Sequence, residues 1–159
     1  MRLNKRNYIN TIAIGAAMAA AALLAHAAVT IYPDVARAGP DVEAALKEAA
    51  KTKRRVLVDF GGNWCGDCIV LDKYLQEAGN ADLLRKHYIV VHVNVGDKGI
   101  TDNFAVAERF GIPLQKGVPA LAVLDSDGKL VFSQKQGEFE SMRKMDSASV
   151  GDFLKKWTQ

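Results

Sequence analysis

The chain has 159 residues, 49% apolar and 25% charged, with four prolines and two cysteines. That suffices for one domain with a real core, is too short for two of ordinary size, and excludes a largely disordered chain. The formal net charge of +3 does not indicate nucleic-acid binding, because the excess sits wholly within residues 1–27.

Arg2, Lys5 and Arg6 lead into an apolar run from Ile12 to Leu24, and Ala25-His26-Ala27 then offers the small residues a signal peptidase needs. The expectation is a secretory signal peptide over residues 1–27, cleaved after Ala27. The alternative is an uncleaved membrane anchor, although the run falls short of the roughly 20 apolar residues that span a bilayer. This segment holds three of the 21 basic residues and none of the 18 acidic ones, so the remainder is charge-balanced. Lys51, Lys53, Arg54 and Arg55 read as a solvated helix end.

Residues 28–40, AVTIYPDVARAGP, read as an irregular lead-in, and the domain proper is placed at 41–159. Asp41 looks like an N-cap for a helix through Ala50, with Val42, Ala45, Leu46 and Ala49 on one face. Val56, Leu57, Val58 and Phe60 form a buried strand that Asp59 interrupts. A helix follows from Cys65 to Gln76, Gly79-Asn80 breaks it, and Ala81–His87 forms a further short turn capped by Asn80. Tyr88–Val95 is a second buried strand, with His92 and Asn94 its polar members.

A helix from Asp102 to Phe110 should pack Phe104, Ala105, Ala107 and Phe110 and end at Gly111. Ala120–Leu124 is a strand, and Asp127-Gly128 turns it into an antiparallel partner, KLVFS. A last helix starts at Ser149, with Asp152 completing a weak capping box, and runs to Trp157. The early strand-helix-strand unit implies a parallel pair. The fold class is therefore α/β, a central mixed sheet with helices on both faces.

The two cysteines lie in FGGNWCGDC, where a strand ends and a helix begins. A sulfur at a helix N-terminus faces unpaired N–H groups and the positive end of the dipole, which favours a thiolate at Cys65. Cys68, nearly one turn on, can attack a mixed disulfide formed there. A staple closing so short a loop gives little entropic stabilisation. Structural zinc wants four ligands, and beside the two cysteines the chain offers His87 and His92 but no second Cys-x-x-C, which argues against it. Haem attachment fails because Ile69, not histidine, follows Cys68. Binding of Cu(I) by the two thiols remains open.

VLVDFGGNWCGDC, YIVVHVNV and the Val118-Pro119 pair before a strand together resemble the thioredoxin family, specifically its exported bacterial thioredoxin-like members. The resemblance spans Tyr32 to Trp157 and implies a thioredoxin fold and thiol:disulfide exchange without a cofactor or metal. Cys65 then matches the nucleophile and Cys68 the resolving cysteine. Asp59 matches the family's buried acid, which exchanges a proton with Cys68 and whose burial should raise its pKa. Trp64, Val118, Pro119 and Gly137 match the substrate-binding surface, with Pro119 in cis and the Val118 backbone free to pair with an extended segment.

Gly66 and Asp67 lie between the cysteines, where they tune the redox pair, and Asp67 replaces a commoner proline. Gly61 replaces a bulky aromatic, which should leave the groove more open. The implied partners are disulfide-containing or dithiol proteins and a membrane or exported redox protein that recharges the cysteines. No nucleic acid is expected, and the chain should be a monomer. The expected location is the bacterial periplasm and the expected direction reduction, the alternative function being a copper carrier or assembly chaperone.

Overall fold

The computed structural model describes residues 30–158, so the expected signal peptide lies outside the described residues. The central strand β1, Arg55–Gly61, is buried on both faces from its second residue onward, as a strand with four large apolar residues requires. It pairs in parallel with β2, Tyr88–Asn94, and antiparallel with β3, Ala120–Leu124. Beyond β3 lies β4, Leu130–Ser133, giving the order β2-β1-β3-β4. The Asp125 carboxylate accepts from the amides of Asp127 and Lys129, which closes the β3–β4 turn.

Helix α1, Ala38–Thr52, lies on one face of the sheet, where Val42, Ala45 and Ala49 join Val56, Val58 and Phe60. Helix α4, Phe104–Arg109, adds Ala107 to that face. On the other face, α2 (Gly66–Gln76), α3 (Ala78–His87) and α5 (Ser147–Lys156) pack around Leu57, Leu121 and Val123. Alternate strand residues thus feed two cores, as side chains of period two must.

Several local boundaries differ from expectation. Asp41 does not cap α1: the helix starts at Ala38, after a single 3-10 turn, Val35–Arg37, in which Asp34 accepts from Ala36 N. Pro40 fits because a first-turn residue has no helical acceptor to lose. The break after α2 falls at the extended Glu77, and Gly79-Asn80 lies inside α3. Asn80 is buried there and donates to Tyr74 O and Ser147 O, joining α2, α3 and α5. Helix α5 starts at Ser147 under Asp146, which accepts from Ser149 N at 2.8 Å. Phe104 is 53% exposed and Ala105 is exposed as well, so the packing expected of them falls to Ala107 and Phe110.

The lead-in is built into the fold. Three asparagines from three segments bind its backbone: Asn63 takes the amides of Ile31 and Tyr32 and donates to Tyr32 O, Asn94 donates to Pro33 O, and Asn103 donates to Val35 O. Tyr32 is fully buried as a result.

Candidate active site

Strand β1 delivers the chain to a tight loop in which Cys65 N donates to Gly62 O, and α2 begins one residue later. Cys65 is the N-cap of α2. Its sulfur accepts from Cys68 N at 3.1 Å, taking the place a serine or aspartate oxygen fills at other helix starts. The two sulfurs form a disulfide. Cys68 is fully buried, while Cys65 keeps 6% of its surface, so an approaching group reaches Cys65 first. Gly66 is the first residue of α2.

The Val118–Pro119 peptide is cis, and Val118 O lies 3.6 Å from Cys65 Sγ. Gln134, buried beside it, holds this loop by donating to Pro119 O and accepting from Leu121 N, both at 3.2 Å. Gly137 has φ of +75°, and a Cβ there would stand 2.9 Å from Lys116 O. A side chain is therefore excluded by both conformation and space, and the turn can press against the segment leading to Val118. Trp64 is 40% exposed, with its indole fixed by a 2.6 Å bond to Gly96 O.

Asp67 does not face the disulfide as a free carboxylate. Arg143 binds it through the backbone amide at 2.9 Å, Nε at 3.1 Å and Nη2 at 2.8 Å. The Arg143 side-chain hydrogen bonds, helped by its backbone amide and its charge, hold the Asp67 carboxyl below its ordinary range against the opposing effect of burial. The pair is compensated locally, so removing either partner should act on Cys65 with opposite sign. Asp67→Asn leaves Arg143 positive beside the helix start and should speed alkylation of reduced Cys65 by iodoacetamide at fixed pH. Arg143→Ala leaves Asp67 negative and should slow it. Each change should be less than about tenfold, since Arg143 is mostly exposed. Changes of the same sign in both variants would contradict this pairing.

Asp59 is fully buried. Its Oδ2 accepts from the Tyr32 hydroxyl at 2.7 Å and faces His92 Nδ1 at 2.9 Å, whereas Oδ1 has no partner among the described residues. Burial pushes His92 down, but the hydrogen bond and charge of Asp59, with Asp72 adding to them, raise it overall. Tyr32 lies well above its ordinary value, first through burial and then through the charge of Asp59. It is a neutral donor. Tyr32, Asn63, His92, Gln134 and Arg143 are therefore site residues that sequence reasoning did not assign.

The groove expected at Gly61 is not open. An added Cβ would stand 2.5 Å from Tyr32 Cζ and 2.9 Å from Cys68 Sγ. The phenol ring occupies the volume that an aromatic at position 61 would claim, and two sides of this small space are the ring and the sulfur. Among the described residues, no group of three or more His, Cys, Asp or Glu is placed to hold a metal ion.

This arrangement agrees with what the chain resembles. A family described as Thioredoxin-like matches residues 36–126. The crystal structure of a disulphide isomerase from Xylella fastidiosa Temecula1 is 38% identical, with a TM-score of 0.77 over 84% of this chain and 100% of that one. A thioredoxin from Thermus thermophilus shares the fold at 22% identity, with a TM-score of 0.52 over 79% of this chain and 83% of its own. Among curated proteins, none matches the sequence. The chain belongs to the thioredoxin-like family.

Proposed function

We propose that this thiol:disulfide oxidoreductase is exported and works from its reduced form on protein disulfides. The observation that carries the reading is the division of labour between the sulfurs: Cys65 reaches the surface at the start of α2, and Cys68 is sealed directly behind it. In this reading the Cys65 thiolate attacks a substrate disulfide and a mixed disulfide forms. Cys68 then attacks Cys65, the Cys65–Cys68 bond closes, and the second substrate sulfur leaves. Two electrons pass to the substrate.

Trp64 and the backbone of Val118 lie next to Cys65 and, with the turn at Gly137 beside the segment leading to Val118, would hold an extended segment, and Asp59 would take the Cys68 proton. A membrane or exported dithiol protein would return the pair to the reduced state. The reading of export is supported by the basic, apolar and small-residue order of residues 1–27. Among the described residues, no helix is long and apolar enough to cross a membrane.

Replacing Cys68 with serine tests the reading. The variant is expected to accumulate mixed disulfides through Cys65, visible as reductant-sensitive adducts. No adducts, together with no dithiol-dependent reduction of a test disulfide by the native protein, would sink it. Equilibration with glutathione buffers checks direction: a reductant should balance well below the roughly −180 mV of an isomerase.

The Xylella relative, titled a disulphide isomerase, favours isomerisation as a second reading. There a substrate thiol, not Cys68, releases Cys65. Repair of a scrambled disulfide protein by the Cys68→Ser variant would support that route over reduction.

A further inference from the structure

The motif FGGN contains two residues whose service is to a third, far away in sequence. Gly61 leaves a space at the end of β1, and Tyr32 fills it from the lead-in. Asn63 binds the backbone on both sides of the Tyr32 α-carbon, through the amide at 3.1 Å and the carbonyl at 2.8 Å. Side chains at alternate positions of a strand point the same way, so the vacancy at Gly61 and the carboxylate of Asp59 lie on one face. The Tyr32 ring crosses that face. Its hydroxyl end bonds Asp59 Oδ2 at 2.7 Å and lies beside the point from which Cys68 Sγ is 2.9 Å away.

We infer that Tyr32 is a positioning residue of the redox centre, whose hydroxyl connects the buried Cys68 sulfur to the Asp59 carboxylate. A phenylalanine would fill the space equally well. The hydroxyl gives its proton to Asp59 in the disulfide form and becomes a donor for the Cys68 thiolate once Asp59 is protonated, in a site without solvent where an unshared negative charge is costly.

The inference rests on the exchange reading above and supplies its proton path. As Cys68 attacks Cys65 of the mixed disulfide, the Cys65–Cys68 bond forms and the bond from Cys65 to the substrate sulfur breaks. The Cys68 thiol proton moves to Tyr32 Oη while the Tyr32 proton moves to Asp59 Oδ2. The substrate sulfur leaves as a thiolate and takes a proton from water. The buried carboxylate accepts the proton readily at Oδ2 because its other oxygen, Oδ1, has no partner among the described residues to share the negative charge. His92, 24% exposed at its side chain, links the carboxylate to solvent. The other charge felt here is Asp72, one turn along α2 from Cys68, which acts on both Tyr32 and His92.

The test compares Tyr32→Phe with Tyr32→Ala in a Cys65→Ala background, where Cys68 is the sole thiol and its ionisation is followed by cysteine ¹³Cβ shifts. With the hydroxyl removed, Cys68 should lose its proton at a pH higher by about one unit, the least a hydrogen bond to a charged group is worth. With both cysteines present, release of the mixed disulfide by Tyr32→Phe should be about tenfold slower at neutral pH, with its pH profile moved upward. Tyr32→Ala should also lose stability, whereas Tyr32→Phe should keep its packing. An unchanged Cys68 titration in Tyr32→Phe would overturn the inference and leave the ring as a filler. The titration does not depend on catalysis, so inactivity of the native protein would count against the exchange reading and not against this one.

Discussion

A Gly61→Val variant is expected to lose about 3 to 5 kcal/mol of stability, the sum of a displaced buried aromatic and a carboxylate deprived of its donor. The new side chain has nowhere to go. Its first carbon would stand 2.5 Å from Tyr32 Cζ and 2.9 Å from Cys68 Sγ, and the sulfur is tied to Cys65. Tyr32 must yield, and with it the 2.7 Å bond to Asp59. Chemical denaturation of the oxidised protein measures the loss. Tyr32→Ala/Gly61→Val should be more stable than Gly61→Val alone, because the alanine makes room for the valine. Strictly additive losses would show that Tyr32 is not what the valine displaces.

The same site shows which features a sequence makes visible. The strands, the early parallel pair, the late hairpin and the junction bearing the cysteines follow from apolar runs and local turn chemistry, whereas the antiparallel β1–β3 pairing joins segments far apart in sequence. Helix starts are less visible. Asp41 and Ser149 are plausible caps, but Asp34 and Asp146 are the residues whose carboxylates meet free amides at the turns in question. Asp59 and His92 do leave a signal in the sequence: each is the fifth residue of an apolar strand, and in the parallel β1–β2 register they are partners. Two polar interruptions in phase indicate a pair.

Tyr32 carried no such signal. It meets Asp59 across 27 positions, through a space made by the absence of a side chain at Gly61. A glycine that elsewhere opens a groove here admits a residue from another segment, and only three-dimensional placement distinguishes the two. Arg143 reaches Asp67 across 76 positions in the same way.

Asp59→Ala should be the most damaging polar change, at about 3 kcal/mol, because it leaves the Tyr32 hydroxyl and the His92 ring facing an empty acceptor position. Asp59→Asn retains an acceptor of the same shape and should recover much of that loss without restoring the charge. The pH dependence separates the two contributions. His92 is raised in the folded state by Asp59, so the native protein holds its proton more tightly than the unfolded chain. The resulting stabilisation is complete below the unfolded value of about 6.5 and is lost as pH rises through the raised native value.

Denaturation midpoints of the native sequence should fall over that window, and those of Asp59→Asn and His92→Gln should fall less. In exchange, Asp59→Asn should slow resolution of the mixed disulfide by about a hundredfold, since the Cys68 proton then has no carboxylate to go to. Initial attack by Cys65 should be nearly unchanged, because Cys65 receives its hydrogen bond from Cys68 N and not from Asp59. Equal slowing of both steps would mean that Asp59 holds the site together without taking the proton.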